Sequence, residues 1–397
     1  MKCINFGQIN KKLLIPVISG VITLIYRYII KYNPKYKIAT QNPFLLNAYV
    51  AFGMILAIIP YLILKQRSKQ SFINSEELQD KSKLEIDLLY NKDDIFKKTK
   101  FAKYRFIVYS TVFDFTQTLL STLYCSFCVY NLWIFDIIFI SLFSYLMLKA
   151  KLYRHQYISM IIIITLGFGL NVIEYFKLDE TEKGLDPLEI SMKFVSEICL
   201  SLSLVIIKYN MEKNYCNPYE VSIWEGVIGL FLNIICLVAF NLSGSTINGT
   251  KYPDNIKEYF DDFDYNDFIV CFAIIIVHFF YNIFLFLTCN YLTPCHILIS
   301  SIIRESYLYL QPSDNVSLNI IGFVILVFIA FLFLIFIEII EINIFNISFN
   351  TKKNIEIRSR NESLVEFNDI IPSNEEVKTD EQEKINSSFS SNNSENL

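Results

Sequence analysis

Charge is scarce in this chain. Asp, Glu, Lys and Arg make up 19% of its 397 residues and hydrophobic residues 53%, whereas a soluble domain is about a quarter charged. That imbalance excludes disorder over most of the length and an ordinary soluble fold. Glycine and proline, 11 and 10 in number, are too few for a collagen-like or low-complexity chain. Only three histidines exist, His155, His278 and His296, with no HExxH and no Cys/His quartet at zinc spacing, so no metal centre is expected. A Gly-rich phosphate loop, a GxSxG elbow and a paired catalytic Asp motif are all missing, so neither an enzyme, a cofactor nor an ATP-driven step is expected. The net charge of -4, with no basic face, excludes nucleic acid as a partner. The nine cysteines lie mostly inside apolar runs, and Cys125-x-x-Cys128, at a turn, reads either as a disulfide in an oxidising lumen or as coincidence.

What the chain has instead is long apolar runs. Crossing about 30 Å of hydrocarbon takes about 20 helical residues, and ten segments qualify: 13–30, 44–64, 105–122, 126–148, 156–175, 189–209, 221–242, 267–289, 295–311 and 316–340. The third and fourth are separated by a turn with no Pro or Gly, and merging them would leave nine. Positively charged flanks stay on the cytosolic side of a membrane. With ten spans and the amino terminus inside, 23 Lys and Arg fall on inner segments and 7 on outer ones. Ten spans with both termini cytosolic are therefore expected, with a cytosolic amino terminus over 1–12. The sequons at Asn248 and Asn315 fall on loops assigned to the outside, although Asn361, Asn386 and Asn392 form sequons in the inner tail.

Two segments stand outside this pattern. Residues 66–104 form a charged cytosolic loop, in which 76–103 has the spacing of a surface helix. Residues 343–397, with ten acids against six bases and a Ser/Asn-rich end, read as a disordered cytosolic tail. The spans divide into two sets of five, 13–175 and 189–340, joined by a non-cytosolic linker over 176–188. An odd number per set forces opposite orientations. The expected fold class is thus an all-α membrane protein, ten transmembrane helices as two inverted five-helix repeats. Each final span carries small residues, Gly167 and Gly169 in one and Gly322 in the other.

Ionisable side chains inside the spans need a reason, because a central charge costs about 2.5–3.5 kcal/mol on insertion scales. Arg304 is the sharpest case, roughly 10–13 Å from either end of its span, beyond reach of the interface by snorkelling. It pairs with an acid from another span or meets a solute; Glu305 points about 100° away and reads as a poor partner. Asp114 and Gln117 share a face of the third span, and Glu197 lies in the sixth. Either carboxylate could hold Arg304 in one state and release it in another. Glu225 reads as a helix-cap or packing residue near the interface, and Gly226 and Gly229 as structural positions of close helix contact. Asn282, Asn290 and His296 read as interhelical glue; Asp136 has no assigned role.

The second half carries Glu197, Lys208, Glu212-Lys213 and Asn217-Pro218, then Trp224-Glu225-Gly226-x-x-Gly229, Asn290-x-x-x-Pro294-x-His296 and Ser300-Ser301-x-x-Arg304. The first half carries Asn42-Pro43-Phe44, Asp114 and Leu148-Lys149-x-Lys151. Over roughly 13–340 this pattern resembles the drug/metabolite transporter (EamA-like) superfamily, and within it the nucleotide-sugar-transporter-like solute carrier 35 group, its F branch most closely. Met54 and Phe135-Asp136 depart from that pattern. The resemblance implies a transporter of a small polar organic solute, driven by exchange or a gradient, with Asp114, Gln117, Glu197, Glu225 and Arg304 at the substrate or gate. Its expected partners are a small-molecule solute and membrane lipid, with a homodimer left open. The expected location is an endomembrane (Golgi, endosomal/lysosomal or ER) ahead of the plasma membrane. A non-transporting trafficking or assembly factor on the same scaffold stays open, and so does an intramembrane transferase.

Overall fold

The computed structural model of the protein describes residues 4–6, 11–32, 43–66, 92–124, 132–177, 187–243, 246–247, 250–251, 265–310 and 316–342. The chain divides into 1–343 and 344–397, and every described residue belongs to the first unit. The expected disordered tail, most of the charged loop, Cys125, Cys128, Asn248 and Asn315 lie outside the described residues.

Helix dominates the described residues. In chain order the main helices are α1 (Leu14–Tyr32), α2 (Pro43–Ile55), α3 (Lys92–Tyr124), α4 (Asp136–Leu148) and α5 (Arg154–Lys177). They continue with α6 (Pro187–Lys213), α7 (Pro218–Ser243), α8 (Tyr265–Tyr291), α9 (Leu298–Leu310) and α10 (Val316–Phe336). Short 3-10 turns precede α4 (Leu132–Phe135) and α9 (Pro294–Ile297). A further 3-10 turn, Lys11–Leu13, leads into α1, and two short antiparallel strand pairs join Ile4–Phe6 with Ile340–Ile342 and Thr246–Ile247 with Thr250–Lys251.

Local chemistry explains the ends. Helices α2, α6 and α7 each begin with proline, whose missing N–H lies where a helix has no acceptor for it. The Asn217 side chain accepts the Tyr219 N–H at 3.0 Å ahead of α7. Helix α2 loosens at 56–57 and resumes to 66, because the Pro60 ring would clash with the carbonyl four residues back, at Leu56. Helix α3 starts at Lys92, well before the expected boundary at 105. The charged stretch 92–104 therefore runs into the apolar helix without a break.

Among the described residues, six helical segments are long and apolar enough to cross a membrane: Phe44–Gln66, Arg154–Lys177, Pro187–Lys213, Pro218–Ala239, Asp267–Tyr291 and Val316–Phe336. Leu14–Tyr28 and Leu132–Leu148 are apolar but shorter. Large apolar side chains cover much of the surface, and several charged ones lie inside an otherwise apolar core. Phe231, Phe268, Phe328, Leu146 and Ile161 are exposed, while Asp136, Glu197, Lys208, Glu225 and Glu305 are buried. Water penalises that distribution, and a hydrocarbon surround makes it favourable.

Specific contacts fix the helix directions. Helix α3 runs parallel to α7, with Lys103 bonded to Glu220 and Ser110 to Glu225. It runs antiparallel to α6, with Ser110 joined to Ser203 and Ser121 to Ser196. Helix α1 is parallel to α9, through Ser300 on the Pro16 carbonyl and Arg27 near Glu305, and antiparallel to α8, through Tyr26 against His278 and Lys12 over Tyr291. Helices α2 and α7 cross antiparallel, and so do α5 and α10. Further contacts join α1 to α9, α4 to α6, α2 to α8 and α9 to α10.

Candidate functional site

Among the described residues, cavities open between the helices, and two of them hold sequence-predicted site residues. The larger, about 290 Å³, lies among α1, α8 and α9 and is lined by Ile22, Thr23, Tyr26, Arg27, Val277, His278, Tyr281 and Arg304. Arg304 Nε donates to Glu305 Oε1 at 2.8 Å, and Arg27 Nη2 approaches the same oxygen at 3.4 Å. Glu305 is therefore the partner of Arg304, contrary to the expectation from their angular separation. Cβ directions diverge by 100° for neighbours on a helix, but the long guanidinium arm wraps back over a buried carboxylate. Two cations thus share one anion at this cavity. The His278 ring stands edge-on to Tyr26 at 4.6 Å, and neither of its nitrogens has a hydrogen-bond partner among the described residues.

The smaller cavity, about 50 Å³, lies among α2, α3 and α7, and its lining includes Asp114, Glu225, Asn47, Thr111, Gly229 and Asn233. Glu225 is buried and accepts the Ser110 hydroxyl at 2.6 Å. Because α7 begins at Pro218 and not at 221, Glu225 sits two turns inside the helix, away from the end where a capping role was expected. Asp114 faces this cavity and not the guanidinium of Arg304. Tyr281 of α8, in the wall of the larger cavity, lies within electrostatic reach of both Asp114 and Arg304.

Glu197 lines neither cavity. It is held by Lys193 at 2.7 Å, one turn back on α6, within electrostatic reach of Asp136 and Arg304. Asp136 is buried at the start of α4 and accepts the Ser201 hydroxyl at 3.1 Å, which gives that residue a place. Gln117 turns away from the Asp114 cavity and joins a polar ladder between α3 and α6: its amide donates to Ser121, whose hydroxyl meets Ser196 at 2.9 Å. Asn282 bonds the His278 carbonyl of its own helix, and His296 closes a capping box with Thr293, so these two do not bridge helices as expected. Asn290 meets α6 through its main-chain carbonyl oxygen, which accepts from Lys208 at 3.3 Å, a contact that owes nothing to its side chain.

The two glycines differ. A Cβ at Gly226 would lie 2.8 Å from the Ala51 carbonyl oxygen, so α7 approaches α2 as closely as glycine permits. A Cβ at Gly229 would meet nothing within 4 Å, so this glycine makes no close contact and leaves open space beside Asp114. Outside the spans, burial disfavours the Lys103 ammonium, but its hydrogen bond to Glu220 and the electrostatic attraction of Cys216, Glu220 and Tyr104 together outweigh this and raise its pKa. In the turn between α6 and α7, burial pushes the Cys216 thiol up to about 12, leaving it protonated and unreactive at neutral pH.

Arg27, His278, Tyr281, Ser110 and Asn233 escaped the sequence reading. Arg27 alone carried a legible signal, a charge within an apolar run. No protein-family model matches the chain, and no curated protein matches it. Fold and cavities together define an α-helical protein whose six apolar helices fit an integral multi-pass membrane protein.

Proposed function

We propose that the protein carries a small polar organic solute across a membrane by alternating access, driven by exchange or a gradient. In this reading ten helices span an endomembrane as two inverted five-helix repeats, with both termini on the cytosolic side. The scaffold is that of the drug/metabolite transporter superfamily, close to the solute carrier 35 group. The neighbour pattern supports the repeats. Exchanging α1–α5 with α6–α10 turns the α3–α6 contact into α1–α8, the α1–α9 contact into α4–α6 and the α2–α8 contact into α3–α7. The α2–α7 and α5–α10 contacts map onto themselves and run antiparallel, as inversion requires.

The observation that carries the reading is the larger cavity, bounded by α1 from one half and by α8 and α9 from the other, with two guanidinium groups against one carboxylate. Such a wall favours a solute bearing an anionic group. Solutes in transporters of this type bind near the midplane between repeats. Counterflow into liposomes containing the purified protein, scored over a panel of anionic and neutral metabolites, tests it. The wild type should exchange at least one solute, and Arg304→Ala should lower that rate at least about tenfold, the loss of one charge-assisted contact. Equal rates with normal incorporation would remove Arg304 and this cavity from the transport path.

A further inference from the structure

We propose that the smaller cavity is a binding site for one monovalent cation held by oxygen atoms alone, sodium or hydronium. The proposal concerns binding and stands whether or not a solute is carried.

Asp114 and Glu225 place two carboxylates on a space of about 50 Å³, and no Lys or Arg is among its lining residues. Two carboxylates in a water-poor cavity cannot both stay ionised without a counter-charge. Asn233 supplies an independent pointer. It is 5% exposed, lines the same cavity, and its amide nitrogen donates to the Gly229 carbonyl at 2.8 Å. That bond fixes the amide and leaves Asn233 Oδ1 buried with no hydrogen-bond partner among the described residues. A buried amide oxygen without a donor is costly, and a cation would satisfy it.

The volume accommodates an ion with one or two waters. An all-oxygen donor set selects a hard cation. Calcium prefers six to eight oxygens with several carboxylates, and magnesium retains most of its hydration shell; two carboxylates and an amide suit a single positive charge. Ser110 already donates to Glu225 at 2.6 Å, so one carboxylate is partly stabilised and the other faces the ion. Among the described residues, Tyr281 of α8 lies within electrostatic reach of Asp114, and Cys289 of α8 and Cys216 of the α6–α7 turn lie within reach of Glu225. Lys208 and Lys103 act on those two cysteines, but neither lysine lines the cavity, and each is paired with an acid elsewhere, Lys208 with Glu212 and Lys103 with Glu220.

The test uses the full-length protein in lipid nanodiscs. Its unfolding midpoint is followed as sodium replaces choline at constant ionic strength, and separately from pH 5.5 to pH 8.5, for the wild type, Asp114→Asn and Glu225→Gln. A saturable rise with sodium that both variants lose identifies sodium. A pH-dependent shift that both variants lose, with no sodium effect, identifies hydronium. Either effect persisting in both variants, or neither occurring in the wild type, overturns the site. Because a variant can fail to fold, the wild type is also treated with dicyclohexylcarbodiimide, which modifies protonated carboxyl groups in apolar surroundings, and the product is mapped by mass spectrometry. Labelling of Asp114 or Glu225 should slow at least fivefold with sodium at fixed pH, or with rising pH alone. Labelling indifferent to both would overturn the proposal.

Discussion

Glu305 balances two positive charges at once. Its carboxylate is buried and stands between Arg304 of its own helix and Arg27 of α1. Removing it leaves two guanidinium groups facing each other across a cavity wall. Breaking a buried ion pair by deleting one partner costs about 3 kcal/mol or more, so Glu305→Gln should lower the unfolding midpoint of the purified protein clearly, while Lys213→Gln, at the exposed end of α6, should leave it unchanged. Equal midpoints for Glu305→Gln and wild type would mean that water already solvates the cluster. The pairing was hidden in the sequence because neighbours on a helix point apart, and only the position of α1 shows that both arginines converge on one carboxylate. Asp136 was hidden for the same reason: its partner Ser201 is far along the chain.

Among elements, the closest approach that glycine permits separates two kinds of helix contact. At Gly226 the neighbouring atom is a backbone carbonyl of α2, which cannot move without moving the helix. Gly226→Ala should therefore destabilise by about 1–3 kcal/mol. Gly229→Ala, one turn on, meets open space and should be neutral or gain up to about 1 kcal/mol from helix propensity. Thermal unfolding of the two variants side by side checks the contrast, and a loss at Gly229 as large as at Gly226 would refute it. The helices themselves were largely legible: a helix lies in each of the ten apolar segments, because length and apolarity leave little alternative in lipid, but within the fourth and ninth the α-helix is only 13 residues long, and the tenth ends at Phe336 and not at 340. Boundaries set by charge were less legible. The helix α3 runs through 92–104, where alternating acids and bases suggested a separate surface element.

For the whole molecule, the proposed inverted repeat makes one topological demand. Two five-helix halves in opposite orientation return the chain to its starting side, so reporters fused at the two ends should both be protease-sensitive in permeabilised cells whose internal membranes stay sealed. Protection of either one would exclude the ten-span arrangement. By itself the sequence determined that apolar helices dominate and where they fall, since hydrophobic burial and backbone hydrogen bonding act along the chain and leave a local record. Only the tertiary structure decided which polar groups meet. It put Asp114 with Glu225, gave Arg304 to Glu305 and Arg27, and tied Glu197 to Lys193. Electrostatic partnership depends on the distance between atoms of different helices, and no periodicity in a linear string encodes that distance.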